Sequence, residues 1–214
     1  MPPILFRDER FVVLDKPPGL PVHPGPRGGR SVEDWFPLFS RRKDGPWLAH
    51  RLDADTAGCL VVALRRAALL AAQREFAAGY ARKTYWAVVR GDPDRDLGTV
   101  DLPLLRRSSP AGWRIMADPA GQRAVTGWRV LGRADGFAWL ELSPQTGRTH
   151  QVRVHCASMG WPIAGDARYG GGGGQLHLLA RGIALDLEPP VMATAEPPQH
   201  MRALLRWCGW KEEL

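Results

Sequence analysis

The chain has 214 residues, of which 44% are hydrophobic and 24% charged, a mixture that can bury a full core without a disulfide or metal staple. With 29 Lys and Arg against 22 Asp and Glu, it carries a formal net charge of +7, which favours polyanionic partners because each neutralised phosphate releases counterions. The 3 cysteines (Cys59, Cys156 and Cys208) are widely spaced with no C-x-x-C, residues 1–10 carry charges and prolines where a secretion signal needs an apolar run, and no apolar stretch is long enough to span a membrane, so the expectation is a soluble cytoplasmic protein in a reducing compartment.

Phe11-Val12-Val13-Leu14 reads as a strand that stops at Lys16-Pro17-Pro18-Gly19, a turn signal, and a Pro- and Gly-rich loop continues to Gly29. Ser31, with Asp34 three residues on, resembles a capping box with Asp in place of Glu, ahead of a short helix through Trp35 and Leu38. Leu60 to Leu64 is continuously apolar, a buried strand. Arg65 to Ala78 is rich in Ala and Leu, a helix closed by Gly79. Thr84 to Val89 alternates and is rich in β-formers. Gly98 to Val125 reads as loops and short strands. Trp128 to Leu131 and Phe137 to Leu142 read as a hairpin through Ala134-Asp135-Gly136. Thr149 to Met159 places Val152, Cys156 and Met159 at helical spacing, ended by Gly160 and Pro162. Residues 170–174 are all glycine and read as a mobile loop without a phosphate-binding lysine. Short strands near Leu176 to Leu179 and Ile183 to Leu187 and a helix from Pro198 to Trp207 follow. The order is a mixed α+β pattern without regular βαβ alternation, repeat or clear linker.

Three segments carry chemistry. His50-Arg51-Leu52-Asp53-Ala54-Asp55-Thr56-Ala57-Gly58 precedes a buried strand, so its carboxylates lie on a loop held by a rigid element. Arg82-Lys83-Thr84-Tyr85 places a basic pair and a base-stacking aromatic at a strand start. Gly147-Arg148-Thr149-His150-Gln151-Val152-Arg153-Val154-His155 puts Arg148 at a helix start. Taken singly, these also read as a polar turn, an ordinary strand aromatic and a basic helix surface. His150 and His155 stand about 140° apart around a helix and cannot share a metal. No H-E-x-x-H occurs either.

Together the segments resemble the RluA-type pseudouridine synthases. His50-Arg51-Leu52-Asp53 followed by Asp55-Thr56-x-Gly58 is similar to that family's catalytic-loop motif. Lys83-x-Tyr85 with Gly91 is similar to its second motif. Gly147-Arg148-Thr149-His150-Gln151-x-Arg153-x-His155, then Pro162-Ile163-x-Gly165-Asp166-x-x-Tyr169-Gly170, is similar to its third. Lys16-Pro17-x-Gly19 and Leu176-His177 fit the same order. Ala57 stands where Ser is common and Trp161 where His is common, the latter a bulky change expected at the RNA contacts.

The resemblance implies an α+β fold: a single pseudouridine synthase catalytic domain over residues 1–214, on a mixed, mainly antiparallel sheet flanked by helices, with no separate N-terminal RNA-binding domain. It implies isomerisation of uridine to pseudouridine in structured RNA, ribosomal or transfer, without cofactor or obligatory protein partner, by a monomer. Asp53 would be the catalytic carboxylate, Arg148 its ion partner and Tyr85 the group against the uracil. Arg51 would enter the space left by the displaced base, and His50, Lys83, His150, Gln151 and Arg153 would contact RNA. Two other readings compete. A non-catalytic RNA-binding module on the same fold has the same charge but no use for Asp53 and Tyr85. A glycoside hydrolase using Asp53 and a second carboxylate needs an acidic, aromatic cleft, which the basic segments fit poorly.

Overall fold

A computed structural model describes residues 1–25, 28–41, 44–110, 112–170 and 172–212. In chain order the elements are β1 (Ile4–Arg7), β2 (Phe11–Lys16), a 3-10 turn (Val32–Trp35), α1 (Phe36–Phe39), β3 (Trp47–Leu48), β4 (Ala57–Ala63), α2 (Arg66–Ala78), β5 (Arg82–Arg90), β6 (Leu97–Asp101), β7 (Leu104–Ser109), β8 (Gly112–Ala117), β9 (Val125–Ala134), β10 (Phe137–Pro144), α3 (Gln151–Ser158), β11 (Leu178–Leu185), β12 (Val191–Thr194) and α4 (Gln199–Trp207). The expected class is borne out: strand pairing is mixed and mainly antiparallel, and α-helices accompany it. The chain forms two compact units, residues 1–83 with 179–198 and residues 84–178 with 199–214.

In the first unit the strands run β1-β2-β4-β11-β12. β4 is buried along its whole length, which is why its sequence is an unbroken run of small and apolar residues rather than an alternating one. β2 pairs antiparallel with it from Phe11↔Ala63 to Lys16↔Gly58. On its other side the start of β4 pairs in parallel with β11, and its end pairs antiparallel with β3. α2 packs on β3 and β4 through Ala68 and Ala72 and ends on Gly79, at φ 78°. Asp34 accepts a hydrogen bond from the Ser31 N–H at 3.1 Å, one half of the expected capping box.

In the second unit the order is β5-β10-β9-β6, all antiparallel, with β7 and β8 forming a separate hairpin. α3 packs on β8, β9 and β10. The main core includes Val89, Leu140, Leu142, Val152, Cys156 and Ile163. Trp161 belongs to it too, 6% exposed and edge-on to Trp128 with ring centroids 5.3 Å apart. The expectation that Trp161 alters RNA contacts is therefore corrected: its apolar area is spent on the core.

Three features differ from the sequence reading. β1, β3 and β12 were not anticipated. The two strands expected around 176–187 are one strand, Leu178–Leu185, because pairing with β4 and with β12 holds Arg181-Gly182 extended through what looks like a break. The helix expected from Thr149 begins at Gln151, because His150 takes left-handed backbone angles. Of the glycine run 170–174, Gly171 lies outside the described residues.

Gly58 shows how tightly β4 and β11 approach. It sits at φ 104°, and a Cβ there would lie 2.3 Å from the Ala180 carbonyl oxygen. Gly58→Ala is expected to destabilise the fold by about 3 kcal/mol, from the strained backbone and the overpacked contact. Urea denaturation midpoints of the two proteins check this.

Candidate active site

The Asp53 loop is a short connection stretched between two paired strands. The Ala49 N–H donates to the Val61 carbonyl, and the Val61 N–H donates to Nε2 of His50, both at 3.0 Å. The His50 ring lies against Phe76 of α2, centroids 5.0 Å apart. Leu52 and Thr56 are buried, Arg51 is exposed and Asp53 is half-buried. The Thr56 N–H donates to the Asp53 carbonyl at 3.1 Å and closes the turn. Buried neighbours on both sides thus carry Asp53 at the surface without leaving its backbone loose.

Beneath this loop is Lys16, fully buried at the end of β2. Its Nζ donates to the carbonyls of Pro17 at 2.9 Å, Leu20 at 2.9 Å and Ala54 at 2.7 Å. An ammonium has three donors, and here each finds a backbone oxygen. The Gly19 N–H also donates to the Ala54 carbonyl, at 2.9 Å. Burial pushes the Lys16 ammonium down to about 8, and the carboxylates of Asp55 and Asp53 act against that shift. At pH 7 the group stays charged, a cation set under the Asp53 loop. Lys16 was visible in the sequence only as part of Lys16-Pro17-x-Gly19 and was not among the expected site residues.

His50 is neutral at pH 7. Burial lowers its imidazole to about 4, the Lys83 charge adds to this, and a hydrogen bond with the Arg51 backbone opposes it. A neutral ring suits Nε2 to its place as acceptor for Val61. Lys83 is half-buried and lowered by burial as well.

In the second unit, Tyr85 is half-buried on β5 opposite Leu142 and packs against the main core. Arg148 is exposed, in the connection between β10 and α3. Its backbone N–H donates to Oε1 of Gln151 at 3.0 Å, and its Nε donates to the Arg123 carbonyl at 3.1 Å. Gln151 is buried and fully used. Its Oε1 also accepts from the Thr146 hydroxyl at 2.7 Å, and its Nε2 donates to the Val125 carbonyl at 3.0 Å and to the Thr126 hydroxyl at 2.9 Å. His155, also buried, meets the Thr126 hydroxyl at 2.9 Å and the Leu102 carbonyl at 3.0 Å.

Arg153 is 7% exposed and forms a two-pronged ion pair with Asp166, both contacts at 2.8 Å. The polar groups of Gln151 and Arg153 are thus engaged by protein partners, and those of His50 partly so. That is a structural role which the sequence reading, treating them as RNA contacts, did not assign. Arg51 alone of the expected RNA contacts is exposed, while Lys83 and His150 are half-buried.

The hairpin of β7 and β8 adds a feature that the sequence reading missed. Trp113 lies under the guanidinium carbons of Arg168, at 4.2 Å, and Arg106, at 4.8 Å. The Tyr169 ring carries those of Arg114, at 5.1 Å, and Arg153, at 5.2 Å. Arg106, Arg114 and Arg168 are exposed cations on aromatic supports, while exposed Arg107 pairs instead with Asp118 at 2.6 Å. The signal was the arginines at 106, 107 and 114 around Trp113, too loosely spaced to stand out without the pairing of β7 with β8.

Residues 10–158 match the family described as RNA pseudouridylate synthase. The chain belongs to that family. An uncharacterized RNA pseudouridine synthase of Zymomonas mobilis is 40% identical over 205 residues, 92% of this chain and 94% of that protein. The ribosomal large subunit pseudouridine synthase C of Vibrio cholerae is 37% identical over 169 residues, 78% of this chain and 52% of that longer protein. Among solved structures, human RNA pseudouridylate synthase domain containing 4 superposes with a TM-score of 0.81 at 27% identity, covering 96% of this chain and 92% of that one. The protein is an RluA-type member, an isomerase by family. No described helix is long and apolar enough to cross a membrane.

The His50 site generates a pH prediction. Its folded value near 4 lies below the ordinary 6.5, so between those values the unfolded chain binds the extra proton. Stability contributed by neutral His50 is present above about 6.5 and is lost as pH falls toward 4. His50→Gln, which keeps an acceptor for Val61, is expected to flatten the fall of the urea midpoint across that window. An unchanged slope would contradict it.

Proposed function

We propose that this protein isomerises uridine to pseudouridine in a structured RNA, ribosomal RNA first and transfer RNA second, with Asp53 as the catalytic carboxylate and Tyr85 and Arg148 as its partners in the reaction. The observation that carries the reading is the Asp53 loop, whose sequence fits the family motif and whose backbone is fixed from below by buried Lys16. The name of the Vibrio cholerae relative supports ribosomal RNA as the first substrate to test. The reading takes residues 1–214 as one catalytic domain.

The reaction breaks the bond from uracil N1 to ribose C1′, turns the base, forms a bond from C5 to C1′, and returns the C5 proton to solvent while N1 gains one. It is redox-neutral. The carboxylate of Asp53 serves as nucleophile or charge stabiliser beside the bond that breaks. Tyr85 packs against the uracil. Before chemistry the base must leave its stack, at a cost of a few kcal/mol. Exposed Arg51 is suited to the space it vacates. Arg106, Arg114 and Arg168 supply phosphate contacts, and Gln151 and Arg153 act through the architecture rather than on the RNA.

Asp53→Asn is expected to abolish pseudouridine formation while RNA binding survives, measured by pseudouridine mapping and by filter binding on the same RNA. Near wild-type formation by this variant would overturn the assignment. Retained binding with no pseudouridine from the wild-type protein would favour a non-catalytic RNA-binding module.

Arg148 separates catalysis from general positive charge. A lysine cannot reproduce the planar two-pronged guanidinium. Arg148→Lys and Arg148→Ala are both expected to lose turnover by roughly a hundredfold, the scale seen when one aimed donor is removed, with RNA affinity changed far less. Single-turnover rates at saturating RNA, set against binding constants, check this. Normal turnover in the lysine variant would refute a specific role.

A further inference from the structure

His150 is the one non-glycine with positive φ among the described residues, at φ 54° and ψ 19°. The left-handed region costs a side chain with a Cβ energy unless the surroundings hold it there. His150 caps α3: its carbonyl accepts from the Val154 N–H at 3.0 Å, so the turn at this residue sets the direction in which residues 147–149 enter the helix. Arg148 lies in that segment.

A side chain from beyond α3, Tyr169, grips this turn. The Tyr169 hydroxyl is 2.7 Å from Nδ1 of His150. The same hydroxyl accepts the Ile115 N–H of β8 at 3.4 Å, so it bonds the hairpin and the imidazole together. Tyr169 is itself firmly seated. Its backbone N–H donates to the Asp166 carboxylate at 3.2 Å, and its ring packs with Leu104, Ile115 and Val154 in a small core under the hairpin. The His150 ring also lies against Trp113 of β8, centroids 5.2 Å apart. A single hydroxyl thus touches the hairpin on one side and the strained residue two positions after Arg148 on the other.

We propose that Tyr169 and His150 form a clasp that couples the position of the β7–β8 hairpin to the Arg148 segment, which makes Tyr169 a positioning residue for turnover. RNA phosphates drawn to Arg106 and Arg114 load the hairpin, and the clasp carries that load to the turn that aims Arg148. The inference rests on the proposed role of Arg148. It predicts an effect on the rate with bound RNA rather than on how tightly RNA binds, since Tyr169 offers the RNA no charge.

Tyr169→Phe removes only the hydroxyl and keeps the packed ring. The expected result is a fall in kcat of about tenfold to a hundredfold, the range for a small misplacement of a catalytic group, with KM for RNA within about twofold. His150→Asn keeps a residue that tolerates the left-handed region and is expected to lose turnover similarly. The double variant should be no slower than the slower single one, because both remove the same contact. Amide hydrogen exchange gives a readout independent of activity. In Tyr169→Phe, residues 112–117 and 147–151 should lose protection together. Exchange that rises in the hairpin alone, losses confined to KM, or additive losses in the double variant would each overturn the clasp. If the wild-type protein forms no pseudouridine yet the two segments still lose protection together, the clasp stands and the proposed reaction falls.

Discussion

The constraint on which the first unit depends is a charge where charges are costly. Taking an ammonium out of water is strongly unfavourable unless its donors are met and an opposite charge is near. Lys16 meets both conditions, with three backbone carbonyls around Nζ and the carboxylates of Asp53 and Asp55 acting on it. The carbonyls belong to two separate stretches, the turn after β2 and the loop before β4. Satisfying one buried cation therefore fixes both loops at once, and the proposed catalytic carboxylate rides on the second. The full burial of β4 and the close β4–β11 contact at Gly58 supply the rigid floor.

The second unit solves a similar problem with a different group. Arg153 and Asp166 pair through two hydrogen bonds in the interior, and the same carboxylate accepts the N–H groups of Arg168 and Tyr169. Gln151 uses its amide in four directions to hold Thr146, the Arg148 backbone, Val125 and Thr126. Breaking either set would leave buried polar groups unpaired, which costs more than the bonds themselves contribute. The polar residues of the third motif thus divide into those that are engaged by the protein and two, Arg148 and Thr149, that the turn leaves exposed.

The same economy shapes the cationic face. Exposed guanidinium groups lie over Trp113 and Tyr169, where cation–π attraction holds them at the surface. Trp113 is thereby occupied as a support, with Arg168 and Arg106 over its ring. Phosphate attraction of this kind is sequence-independent and orients an RNA without reading its bases.

How much of this was legible beforehand follows from the range of the interactions. Periodicity and turn chemistry are local, so β2, β4, α2, the β9–β10 hairpin and α4 could be read from residue order. The motifs at 50–58, 83–85 and 147–155 marked the family and the Asp53, Tyr85 and Arg148 assignments. What only the tertiary structure decided were matters of pairing across distance. Nothing near Lys16 in the chain says that its ammonium bonds Ala54, nothing near Arg153 says that its partner is Asp166, and Trp161 looks like a surface change until Trp128 is set against it. Composition and spacing state which groups are present. Whether a given charge faces solvent or spends itself inside depends on which distant backbone or carboxylate is folded against it, and the energy that decides it, desolvation against a specific partner, exists only once the chain is packed.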